Sequence, residues 1–212
     1  MKNLTLIIVL GLFTSLSAFA SEYEEAMKSQ IKKISTIGTD AEAQDVKNGF
    51  LRIAQANMTE WLPMYYAALV QTEAGLRFDV DKDAYFEEAQ SYLKILQDAG
   101  ADNSEITALE GYIMMGMVSV DPGSRGPSMS GPTMETFGRA IGQDRSNPRA
   151  LYLMAQMERG IAQFFGQGPE KACGMFKRSL ELFEAEKDKV DENYLLPSWG
   201  HQQALQMAES CN

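Results

Sequence analysis

Residues 148–183 read PRALYLMAQMERGIAQFFGQGPEKACGMFKRSLELF. The stretch predicts two amphipathic helices joined by a turn rich in glycine, Gly166 and Gly168. Leu151, Met154 and Ala155 fall on one face of the first helix, and Ala172, Phe176 and Ser179 on one face of the second, because side chains three and four residues apart share a face. The small Ala155 lets the second helix approach closely, while Glu158 interrupts the apolar face. Such a hairpin cannot bury its apolar face alone and needs further hairpins stacked on it.

Copies of the same frame lie upstream. Phe50, Leu93, Phe137 and Phe176 recur at spacings of 43, 44 and 39 residues. The small residues Ala68, Gly111 and Ala155 precede Ala89, Thr133 and Ala172 by 21, 22 and 17 residues. Set against a hairpin in which those two positions are about 12 apart, the turns carry insertions of 9, 10 and 5 residues, and without them each unit is 34 long. In period and small-residue placement the pattern resembles the tetratricopeptide repeat. The resemblance covers roughly residues 40–183. Departures are concentrated in the middle copy, where Thr107 and Glu110 stand at apolar positions and Thr133 replaces alanine. The proline usual near the end of each unit is replaced by Met58, Ala101 and Arg145.

The resemblance implies an all-α fold, a right-handed α-solenoid of about nine helices. An N-terminal hairpin over 21–60 would precede three repeats at 61–103, 104–147 and 148–183, and residues 184–212 would supply a linker and a capping helix. Residues 21–212 are thus expected to form a single helical domain. Within it, Thr39 or Asp40 can cap a helix running to about Asn57. Asp79, Asp81 and Asp83 can cap the helix starting near Lys82 and complement its positive end. Val120 to Pro132, VDPGSRGPSMSGP, holds three Gly, three Pro and three Ser and is expected to be a loop rather than a helix. A final helix is expected from Pro197 to about Ser210.

The first twenty residues, MKNLTLIIVLGLFTSLSAFA, carry Lys2, an apolar run from Leu4 to Phe13, and Ala18-Phe19-Ala20 before Ser21. This is the pattern of a secretory signal peptide, so the protein is expected to be exported, periplasmic or secreted. No other stretch approaches the ~20 apolar residues that span a bilayer. Removing the leader takes away Lys2 and leaves 18 basic against 29 acidic residues, a net charge of −11. That balance argues against nucleic acid and anionic membrane surfaces as partners. An oxidising compartment makes Cys173 and Cys211 a candidate disulfide that would clamp the terminal helix onto the last hairpin.

Signals for chemistry are sparse. His201 is the single histidine and has no partner at a metal or catalytic spacing. The Asp79–Asp83 run lacks the Gly and Glu that a calcium-binding loop needs, with Ala84 and Gln90 in their places. Pro132 stands where a phosphate loop requires lysine. The methionine clusters, Met114, Met115 and Met117 with Met154 and Met157, read as core filler. Neither enzymatic activity nor a cofactor is expected.

In proteins of the resembled family, a concave groove is lined by fixed positions of each first helix. Carried onto this chain they include Tyr65 and Leu69, then Tyr112 and Met115, then Arg149, Tyr152, Gln156 and Arg159. Tyrosine and arginine are the side chains that dominate recognition energy, through stacking and forked carboxylate contacts. The resemblance therefore implies a non-catalytic interaction module or scaffold in the cell envelope, holding a peptide or protein segment with an acidic end. The alternative is a glycan, a peptidoglycan fragment or another small ligand in the same groove.

Overall fold

The computed structural model describes residues 22–191 and 193–211. The leader expected over 1–20 lies outside them. Nine helices and no strand occur among the described residues, in agreement with the all-α expectation. They are α1 (22–34), α2 (Asp40–Ala56), α3 (Leu62–Arg77), α4 (Lys82–Asp98), α5 (Ser104–Val120), α6 (Pro122–Gln143), α7 (Pro148–Phe164), α8 (Glu170–Lys187) and α9 (His201–Glu209).

Local chemistry sets most of the starts. Thr39 accepts from the Glu42 amide while the Glu42 carboxylate accepts from the Thr39 amide, a reciprocal cap on α2. Asp81, Asn103, Asp121 and Asn147 cap α4, α5, α6 and α7 through their side chains, each such cap contributing about 1 kcal/mol.

From α2 onward each helix packs on the next, and α3 also touches α5, as α5 touches α7. The apolar interior forms two main clusters. One gathers Met27, Phe50, Tyr65, Phe86 and Ile113 from α1 to α5, the other Phe137, Leu153, Phe176 and Phe183 from α6 to α8. Tyr112 and Trp199 pack against both.

Gly111 shows why a small residue recurs at this point of the frame. A Cβ there would lie 2.5 Å from the Phe137 ring, which is fully buried. Gly111→Ala is expected to lower stability by about 1–3 kcal/mol, since a rigid ring in a filled core cannot yield without strain. The matched change Gly138→Ala, on an open face of α6 with nothing within 4 Å, should be neutral or gain up to about 1 kcal/mol of helix propensity. Urea unfolding of both variants checks the contrast.

Two expectations are corrected. The Pro- and Gly-rich segment is not a loop: α6 begins at Pro122 and runs for 22 residues through Pro127 and Pro132. An interior proline costs about 3 kcal/mol, but both prolines are exposed, so the carbonyls they leave unbonded, those of Gly123 and Ser128, are on the solvent side where water can satisfy them. The start of α6 is pinned by Arg125, whose guanidinium forks onto Asp83 at 2.6 and 2.7 Å and bonds the Met117 carbonyl at 3.0 Å. Its later turns bury Thr133, Thr136, Phe137 and Ala140. The last helix likewise starts at His201 instead of Pro197. Gly200, at φ 103°, turns the chain into it, and Phe183 stands 2.9 Å from where a Cβ would be, so no side chain fits there.

Candidate functional site

The late start of α9 leaves residues 188–191 and 193–200 as a strap that has turns but no helix or strand, and this strap crosses the helix face that carries the predicted groove residues. The Leu195 carbonyl accepts from the Tyr66 hydroxyl at 2.9 Å. The Trp199 indole N–H donates to the Tyr65 hydroxyl at 3.0 Å, and its ring stacks on Tyr112 with centroids 5.8 Å apart. Lys28 on α1 reaches Asn193 at 2.8 Å.

Beneath the strap lies a buried ionic cluster. Arg149 follows Pro148 at the start of α7 and is 2% exposed. Its Nε and one terminal nitrogen donate to Glu105 of α5 at 2.8–3.0 Å. Its two terminal nitrogens also fork onto Glu186 of α8 at 2.8 and 2.6 Å. The Tyr65 hydroxyl approaches Glu105 at 3.4 Å, and the guanidinium lies 5.9 Å from the Phe183 ring centroid. Burial disfavours the charge on Arg149, but the bonds from Glu186 and Glu105 outweigh it and hold the guanidinium protonated. Burial pushes the Glu105 carboxyl above the usual carboxylate range, with Arg149 pulling it back. Two carboxylates thus face one cation, a geometry suited to locking helices rather than to proton transfer.

The predicted residues divide accordingly. Tyr65, Leu69, Arg149 and Tyr152 are buried and do not form an open row on one groove. Tyr152 packs against Phe176 and Phe183 and bonds Gln156, and burial pushes its hydroxyl up to about 12. Arg159 ties α7 to α9 through Met207 and Ser210. Cys173 on α8 is bonded to Cys211 beyond α9. His201 pairs with Glu184 at 2.6 Å and meets the Phe183 ring edge-on. The open row of aromatic side chains expected from the sequence is therefore closed by the chain itself, Tyr65 and Tyr112 by Trp199 of the strap and Tyr152 by Phe176 and Phe183 of α8.

Two of the accessible cavities have walls that suit a small ligand. The first, about 720 Å³, lies where the ends of α5 and α7 meet the start of α6. Met115, Val118, Pro127, Met157, Ile161 and Phe164 line it together with Gln156 and Phe165, and none of its lining residues is charged. Phe164 and Phe165 are 60% and 67% exposed and pack edge-to-face at its rim. Adjacent phenylalanines at a helix end, just before Gly166 turns the chain at φ 66°, were the available sequence signal for this cavity, and the repeat frame alone does not mark them. The second cavity, about 520 Å³, lies between α3, the loop after α1 and the end of the strap, and takes in Leu69, Glu73, Arg77 and Trp199. The Glu73 carboxylate accepts from the Tyr112 hydroxyl at 2.7 Å and is raised by burial against the pull of that bond and of Arg77. Among the described residues no cluster of His, Cys, Asp and Glu could hold a metal ion. No described helix is long and apolar enough to cross a membrane.

Neither a protein-family model nor a curated protein matches this chain. Among solved structures, the chain is similar to the HusA haemophore from Porphyromonas gingivalis, with a TM-score of 0.79 and 27% identity over 90% of this chain and 92% of that one.

Proposed function

We propose that this chain is an exported, non-catalytic binding protein whose ligand is haem or a flat apolar ring system of like size, carried as cargo in the cavity between α5, α6 and α7. The observation that carries this reading is the cavity itself: about 720 Å³, uncharged, with two exposed phenylalanines at its rim. Its volume falls in the range of ligand pockets, which are mostly apolar with a few polar groups. Similarity to a haemophore over nine tenths of both chains supports the same ligand class. Met115 and Met157 are the lining side chains able to offer a soft thioether to an iron centre, and Gln156 and Ser119 can bond a polar edge. The reading takes residues 1–20 as the leader that exports the domain formed by 21–212.

Haemin titrated into the purified protein should give a saturable shift of its main absorption band. Phe164→Ala with Phe165→Ala should weaken binding about tenfold or more, since each lost aromatic contact is worth roughly 0.5–1.5 kcal/mol beyond area. Equal affinity in the double variant, with its helical content unchanged, would remove this cavity as the site.

A second reading is favoured by the strap. In it, α3 to α8 form three tetratricopeptide-like hairpins of a right-handed solenoid. Their inner face, with Tyr65, Leu69, Tyr112, Met115, Arg149, Tyr152, Gln156 and Arg159, would be a peptide-binding surface. A non-helical segment already lying on that face is what a peptide ligand would look like when supplied by the chain itself. Any external peptide would have to displace residues 188–200, so the small-ligand reading requires less of the molecule.

A further inference from the structure

The second cavity holds an acid and a base that are not paired with one another. Glu73 and Arg77 stand one turn apart on α3, and both line it. Residues at i and i+4 are placed to form an ion pair, yet Arg77 donates instead to the Ile37 carbonyl at 2.8 Å and rests over the Phe78 ring, 5.2 Å from its centroid. Glu73 takes the Tyr112 hydroxyl on Oε1, and among the described residues no donor bonds Oε2. The rest of the wall is mostly apolar and aromatic, with Ile34, Leu69 and Trp199, and Ser35, Ser198, His201, Gln202 and Gln203 are its other polar residues. A largely buried carboxylate with an unused oxygen, a guanidinium at the mouth and an apolar wall between them match a ligand that carries both charges and a hydrophobic body.

We propose that this cavity binds a zwitterionic small molecule, an α-amino acid or short peptide with an apolar side chain. Its ammonium would donate to Glu73 Oε2, its carboxylate would accept from Arg77, and its side chain would lie against Leu69 and Trp199. A metal ion does not suit the site, because a hard cation needs several oxygen ligands and Glu73 is the one carboxylate lining it. An anion alone would face Glu73 at close range. A cation alone would leave Arg77 without a counter-charge in the cavity.

The site is separate from the first cavity, so its failure and that of the haem reading are independent. Three probes of one shape separate the charges: L-phenylalanine with both, phenethylamine with the cation alone, and 3-phenylpropionate with the anion alone. The readout is the indole N–H resonance of Trp199 in the purified protein, one of two such signals in the chain. L-phenylalanine should bind best. Glu73→Gln, which keeps an acceptor for Tyr112, should weaken L-phenylalanine and phenethylamine about tenfold or more, the scale of a charge-assisted hydrogen bond, and spare 3-phenylpropionate. Arg77→Gln should weaken L-phenylalanine and 3-phenylpropionate and spare phenethylamine. Equal affinity for the three probes, equal losses in both variants, or an unmoved Trp199 signal at saturating L-phenylalanine would each overturn the proposal.

Discussion

Arg149→Met should lower the unfolding free energy by about 3–5 kcal/mol, the cost of leaving buried partner charges without their cation. The side chain is 2% exposed and makes five hydrogen bonds to Glu105 and Glu186. Methionine fills similar volume, so the loss isolates the charge from the packing. Three helices meet at this residue, α5 through Glu105, α7 through Arg149 itself and α8 through Glu186, so the variant should also loosen the strap that leaves α8. The sign of the pH response follows from Glu105. Its folded-state pKa is already raised by burial, and removing Arg149 raises it further. A carboxyl with a raised folded pKa favours the folded state when protonated and loses that contribution as pH rises. The variant should therefore regain stability on acidification from neutral pH into the carboxylate range, while the parent, its Arg149 still charged, should gain less. Urea unfolding from pH 7 down to pH 4 reads both effects. A loss under about 1 kcal/mol at pH 7 would mean that water reaches the cluster. Replacing all three members by apolar side chains should recover much of the loss, as neutral packing often matches a buried ion pair.

Removing the disulfide is expected to be the other large perturbation. The bond between Cys173 and Cys211 spans 38 residues and encloses α8 from its first turn onward, the whole strap and α9. A loop of that length corresponds to about 2–4 kcal/mol of stabilisation through the unfolded chain. Because Cys211 follows α9 directly, Cys173→Ser with Cys211→Ser should loosen the molecule locally before it unfolds globally. Amide exchange should accelerate in α9 and residues 188–200, and Trp199 should move toward water with a red-shifted emission. The helices from α2 to α5 should keep their protection, since the fully buried side chains of their cluster come from α1 to α5 and the loop after α1. Uniform acceleration across the whole chain would show instead that the strap is integral to the central core. The coupling matters for either functional reading, because Trp199 both seals the inner face and walls the second cavity.

How legible the molecule was in its sequence varied with the kind of interaction. Caps at Thr39 and Asp81 and the period of Phe50, Phe137 and Phe176 depend on neighbours within one or two turns, so they can be read locally. The helical state of 122–143 could not be read that way. Proline and glycine disfavour a helix locally, and what overrides them is packing on α5 and α7 and the fork from Arg125 to Asp83, 42 residues away. The site was harder still. Family positions brought Tyr65, Tyr112, Arg149 and Tyr152 to one face, but their exposure depended on whether anything lay over them.

By itself, then, the sequence determined the helical class, the capped boundaries and the acidic surface, all of which follow from residue type and short spacing. Only the tertiary structure decided which faces stay open. The strap lies far along the chain from Tyr65 and Tyr66, with the Leu195 carbonyl 129 positions from Tyr66 and Trp199 134 positions from Tyr65. Its docking is a competition between water and a distant apolar face, which no local pattern encodes. One cavity, walled by Glu73, Arg77 and Trp199, stays open at the end of the strap, while the other, rimmed by Phe164 and Phe165, lies between α5, α6 and α7 away from it.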